Sequence, residues 1–198
     1  MLEARELACL RGERAVFAGV SFRVPPGAAL LLTGANGAGK SSLLRLLAGL
    51  LRPAAGALLW EGEDALGDRV EHARRLRYLS PQDALKPALT ARETLAFAAR
   101  LHGAAGDAGA ALAALGLLPL AELPVRLFST GQRRRLALAR LALAPAPLWL
   151  LDEPTLGLDT AAVSRLGGLL ARHREGGGAV VAATHLPLPL PGAAEFRL

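Results

Sequence analysis

Isoleucine is absent from these 198 residues, lysine occurs twice, cysteine once, and aromatic side chains make up only 4%. With 44 Leu, 41 Ala and 21 Arg instead, the usage reads as a compositional bias of the genome rather than a functional signal. The formal charge of +6 follows from that bias, and no nucleic-acid partner is expected from it. A single cysteine, Cys9, excludes an intrachain disulfide and suits a reducing compartment, where it acts as a small hydrophobe. No stretch has the length and apolarity of a membrane span, since the most apolar one, 110–125, is broken by Gly116, Pro119, Glu122 and Pro124. The first residues, with Glu3, Arg5, Glu6, Arg11, Glu13 and Arg14, lack the apolar run of a signal peptide. A soluble, cytoplasmic protein is expected. What the chain does have is 52% apolar residues, enough for a core in which a chain this size hides roughly two-thirds of its unfolded surface. Disorder and stapled mini-protein scaffolds are thereby excluded.

Residues 21–33 read as two strands around Pro25-Pro26-Gly27, the second buried on both faces. A glycine-rich loop follows, and 41–50 continues as a helix. Strands at 57–60 and 76–80 flank a polar stretch. Residues 83–127 are rich in Ala and Leu at helical spacing with no strand signal. This predicts a helical subdomain, approximately 83–130, within a single domain spanning 1–198. Thr90 with Glu93 three residues on has the form of a capping box. A long helix after Gly131, a strand at 148–151, a helix near 160–174 and a strand at 179–184 complete the alternation. The fold class expected is α/β, with a mainly parallel sheet core, an antiparallel β edge and the short helical insertion.

Two motifs carry chemistry. Gly34-Ala35-Asn36-Gly37-Ala38-Gly39-Lys40-Ser41, followed by Ser42, satisfies G-x-x-x-x-G-K-[ST] between a buried strand and a helix. Glycines let the backbone wrap a phosphate and aim N–H groups inward, and the helix start adds its positive dipole end. Lys40 would reach the β- and γ-phosphates, and the Ser41 hydroxyl would ligate Mg2+. The loop therefore predicts a nucleoside triphosphate site. The second motif is the apolar strand Leu148-Trp149-Leu150-Leu151, which ends in the acid pair Asp152-Glu153. Beside such a loop, the first acid holds Mg2+ through water and the second orients and deprotonates the attacking water.

Phe128-Ser129-Thr130-Gly131-Gln132, 21 residues ahead of Glu153, resembles the Leu-Ser-Gly-Gly-Gln signature of the ATP-binding-cassette (ABC) ATPases. Gln82 matches that family's Q-loop, Leu158-Asp159 its D-loop, and His185 its switch histidine. With the two motifs above, the resemblance covers residues 20–185. The runs 85–97, 1–7 and 131–141, with Leu148-Trp149, are further similar to the haem-exporter ATPase subunits of cytochrome c biogenesis. Within that family, Leu10 to Arg14 holds no aromatic to stack on adenine, a place an arginine guanidinium could fill. Thr130 replaces a small signature residue, and Leu186 stands where glutamine is expected.

The resemblance implies a P-loop NTPase of ABC type that hydrolyses ATP as a head-to-tail homodimer. Each ATP would lie between one chain's phosphate loop and Ser129, Gly131 and Gln132 of the other. Ser41, Gln82 and Asp152 would ligate Mg2+, Glu153 would polarise the water, and His185 would contact the γ-phosphate. An integral membrane subunit of the cytochrome c maturation system would dock near Gln82 and residues 83–89, placing the chain on the cytoplasmic face of the bacterial inner membrane. Two other functions fit the same motifs: the ATPase of a lipid or drug exporter, and a non-hydrolysing ATP-dependent clamp.

Overall fold

Apolar residues in β1 (Leu2–Arg11) and β2 (Arg14–Val24), among them Leu2, Leu7, Cys9, Phe17 and Val24, turn inward as the two strands pair antiparallel, while Arg5 and Arg23 face out. A computed structural model describes residues 1–198 apart from Glu13, Ala104, Ala105 and Pro145. β3 (Ala29–Thr33) runs through the glycine loop into α1 (Lys40–Leu47), whose inner face is Leu43, Leu44, Leu46 and Leu47. β4 (Ala55–Trp60) pairs with β1, and β5 (Glu63–Asp64) follows it. The first sheet is therefore antiparallel, in the order β2-β1-β4-β5.

Asp68 caps α2 (Arg69–Arg74), which leads to β6 (Leu76–Leu79). The insertion follows: α3 (Ala91–Leu101), α4 (Ala108–Ala114), short 3-10 turns at Leu118–Leu120 and Val125–Leu127, and α5 (Thr130–Leu143). Thr90 accepts from the Glu93 amide while the Glu93 carboxylate accepts from the Thr90 amide, so the expected capping box opens α3. β7 (Leu148–Asp152), α6 (Thr160–Glu175), β8 (Ala179–Ala183) and β9 (Ala194–Arg197) complete the chain. The second sheet is parallel throughout, ordered β6-β7-β8-β3-β9.

β7 explains how the layers form. Leu148 and Leu150 enter a core shared with α1 and the antiparallel sheet, whereas Trp149 and Leu151 enter a second core with α5 and α6. Successive side chains leave a strand on opposite faces, so an uninterrupted apolar strand needs cover on both sides. The insertion packs into the second core through Leu95, Leu112, Leu117, Val125 and Phe128. β1 and β9 were not signalled by the sequence pattern. Charged residues interrupt β1, and β9 is a short, largely exposed strand held by its parallel pairing with β3. Cys9 is buried and free, as a small hydrophobe would be.

Candidate active site

The carboxyl ends of β3, β7 and β8 lie side by side, and the loops leaving them build a crevice of the kind in which open parallel sheets bind ligands. Residues 34–39 leave β3, and Gly39 occupies the N-cap of α1 in the left-handed region with φ 102°. A Cβ there would come 2.6 Å from Val16 Cγ1, so the loop passes under β2 only as glycine. Gly34, with φ +132°, is equally restricted, because a Cβ would stand 2.7 Å from the Leu198 carbonyl. Among the described residues no side chain caps α1. The amides of its first turn thus face the loop without intrahelical partners, which is the arrangement that binds an anion. Lys40 Nζ folds across the loop and donates to the carbonyls of Gly34 at 2.7 Å and Ala35 at 2.9 Å.

Ser41 Oγ donates to Asp152 Oδ1 at 3.0 Å across 111 residues of sequence. Asp152 is 1% exposed, and among the described residues its Oδ2 has no hydrogen-bond partner. Burial pushes its carboxyl up from the ordinary carboxylate range; the Ser41 hydrogen bond opposes this, neighbouring Glu153 adds to it, and Arg45 and Arg134 counter it. A buried carboxylate with an open oxygen beside a hydroxyl is a hard oxygen donor set, which fits Mg2+.

Glu153 follows directly, at φ 49°, a conformation costly for a residue with a Cβ and typical of functional sites. Its amide donates to the Ala183 carbonyl at 2.8 Å, locking it to the end of β8. Two residues beyond β8, His185 Nδ1 lies 3.0 Å from Glu153 Oε1, and the His185 amide reaches Oε2 at 3.4 Å. The acid and the histidine are therefore already paired, with the His185 side chain 55% exposed.

Residues 34–42, Asp152, Glu153 and His185 come together, whereas the remaining expected residues do not join them. Gln82 is exposed in the loop after β6, where its carbonyl accepts from Ser80 Oγ. Ser129 and Gln132 form a capping box that opens α5: the Ser129 hydroxyl accepts from the Gln132 amide at 3.2 Å and Gln132 Oε1 accepts from the Ser129 amide at 2.8 Å. Gly131 packs against the turn at Gly157, whose carbonyl would stand 2.9 Å from a Cβ. Among the described residues no hydrogen bond joins these groups to the phosphate loop. Sequence reasoning passed over Arg134, which is 3% exposed and donates to the carbonyls of both Asp152 and Glu153.

Residues 17–156 match the ABC transporter family. The cytochrome c biogenesis ATP-binding export protein CcmA of Rhodospirillum rubrum is 56% identical over 194 residues, covering 98% of this chain and 83% of that protein. A solved ATP-binding subunit of an ABC transporter superposes with a TM-score of 0.85 at 28% identity, over 93% of this chain and 79% of the other. A dimeric ATP-binding cassette in a post-hydrolysis state, bound to ADP and Pi, gives a TM-score of 0.83 at 25% identity, covering 94% and 88%.

Proposed function

From the premise that this chain belongs to the ABC transporter family and is an ATP-hydrolysing subunit, we propose that it powers a haem exporter of cytochrome c maturation. The observation that carries the chemistry is the convergence of Ser41 on Asp152 and of His185 on Glu153 at one sheet edge. ATP binds with its phosphates over Gly34, Ala35, Asn36, Gly37, Ala38, Gly39, Lys40, Ser41 and Ser42. The Lys40 ammonium exchanges its two loop carbonyls for β- and γ-phosphate oxygens. Ser41, Asp152 and Gln82 would hold Mg2+, which when bound neutralises charge on the phosphates. Glu153 accepts a hydrogen bond from the attacking water and takes its proton as the bond to the γ-phosphorus forms and the bond from that phosphorus to the β–γ bridging oxygen breaks, leaving ADP and inorganic phosphate. His185, freed from Glu153, donates to the γ-phosphate. Its Nδ1 contact with the carboxylate keeps both groups ready at the same edge.

Ser129, Gly131 and Gln132 complete the site from a second copy packed head to tail, where the amide-rich start of α5 meets the γ-phosphate. Leu127, Leu156 and Leu186, exposed beside these loops, give the second copy an apolar rim. The dimeric state of the ADP- and Pi-bound relative supports this assembly. Loss of the bridging phosphate lets the dimer open. The domain is single over 1–198, and its helical subdomain, about 83–130, offers a groove lined by Lys86, Leu89, Phe97, Leu101 and Arg140 to the membrane subunit. No helix among the described residues is long and apolar enough to cross a membrane, which supports peripheral attachment through that partner at the cytoplasmic face.

The test is made in the host. Replacing the chain by its Lys40→Ala variant should remove covalently haem-bearing c-type cytochromes on a haem-stained gel and leave b-type cytochromes in place. Unchanged c-type cytochromes would assign the ATPase to another cargo.

A further inference from the structure

One guanidinium ties three segments of the active site together. Arg134 Nη1 donates to the Ser80 carbonyl at 2.8 Å and to Asp83 Oδ1 at 2.9 Å, beyond the end of β6. Nη2 donates to the Asp152 carbonyl at 2.9 Å and the Glu153 carbonyl at 2.6 Å, at the end of β7. The side chain is 3% exposed and makes an ion pair with Asp83. Its neighbours on α5 behave differently. Arg133 bonds the Phe128 carbonyl, and Arg135 the carbonyls of Leu115 and Gly116, all within the insertion or its junction with α5. Of these three arginines, Arg134 alone bonds the acid pair among the described residues.

The two carbonyls it holds fix the peptide planes on either side of the Glu153 Cα. That residue sits at φ 49°, where its own backbone preference would carry it elsewhere. A planar cation with a fixed fork of donors suits this task, because two carbonyls gripped from one nitrogen cannot rotate independently. We propose that Arg134 is a positioning residue for Glu153, holding the strained backbone that aims the carboxylate, with Asp83 as the counter-ion that orients the fork. This rests on Glu153 acting on the attacking water. Because Asp83 opens the segment assigned to the membrane subunit, a shift there would reach Glu153 through a single side chain.

The experiment measures steady-state ATP turnover, ATP affinity by titration and thermal melting for Arg134→Met, Arg134→Lys, Asp83→Ala and Glu153→Gln. Misaiming of a reacting group costs turnover without costing ground-state binding. Arg134→Met should therefore lower kcat roughly ten- to a hundredfold with KM and ATP affinity nearly unchanged. Arg134→Lys, which keeps the charge but not the fork, should restore part of kcat. Asp83→Ala should give a smaller fall with the same split. Wild-type kcat in Arg134→Met, or a loss of kcat matched by an equal loss of ATP affinity, overturns the proposal. Should Arg134→Met not fold, wild-type kcat in both Arg134→Lys and Asp83→Ala overturns it equally. Retained turnover in Glu153→Gln would instead remove the role given to Glu153, which separates the two failures.

Discussion

Lys40→Ala removes one ammonium and leaves the rest of the phosphate cradle intact, so its effect on binding can be worked from the contacts present. In the nucleotide-free chain Lys40 donates to two neutral carbonyls, at 2.7 and 2.9 Å. Binding exchanges these for anionic oxygens, and hydrogen bonds to charged groups contribute about 1.5–3 kcal/mol against about 0.5–1.5 for neutral ones. Since the lysine gives up existing bonds, the net loss should fall near the lower end, about 1.5–2 kcal/mol, or roughly 10- to 30-fold in Kd. The amides at the start of α1 and its dipole remain, which keeps binding measurable. The assay is titration calorimetry with ATP and, in parallel, with AMP. AMP has no β- or γ-phosphate and should lose little. An unaltered ATP affinity, or equal losses for ATP and AMP, would refute the contact.

Asp152→Asn keeps the shape but not the charge of the buried carboxyl, so the gain in ATP affinity produced by Mg2+ should vanish while affinity in EDTA stays unchanged; a full Mg2+ response would contradict the assignment. Mixing Lys40→Ala with Ser129→Arg chains should restore turnover that neither parent shows, because one site of each mixed dimer is then intact. With random pairing the yield is about a quarter of wild type, and no recovery of turnover or of ATP-dependent association would exclude composite sites. Burial lowers the pKa values of His72, whose Nε2 lies 2.8 Å from the Leu47 carbonyl, and of His173, stacked on Trp149. Above the unfolded histidine pKa of about 6.5 both states are neutral. As pH falls below it the unfolded chain takes protons first, so the melting temperature should drop between neutral and mildly acidic pH. His72→Gln should flatten that slope, and an unchanged slope would reject this source.

The elements legible in the sequence were those specified by neighbouring residues. The phosphate loop declares itself through Gly34, Gly39, Lys40 and Ser41, and the capping box at Thr90 through spacing alone. β7, apolar as far as Asp152, and β8, apolar throughout, could lie only in a covered sheet. β1 was hidden because Glu3, Arg5 and Glu6 break its alternation. The fold accommodates them by pairing Glu3 with Arg5 and Arg23 and by bulging the strand near Glu6. The Glu153–His185 contact joins residues 32 apart, and a chain position cannot state a distance. Arg134 was illegible as one of three consecutive arginines. Each of the three has buried apolar residues three and four positions on, so spacing does not separate them; only the fold shows that Arg134 is the one that reaches the end of β7.

Turnover of purified Glu153→Gln in saturating ATP and Mg2+, measured beside its ATP affinity, tests the hydrolytic assignment most directly. The amide preserves the shape beside His185 and cannot take a proton from water. Turnover should be nearly abolished while ATP affinity stays at the wild-type value and gel filtration shows an ATP-dependent dimer. Wild-type turnover in this variant would contradict the role of Glu153 and the hydrolytic site built around it.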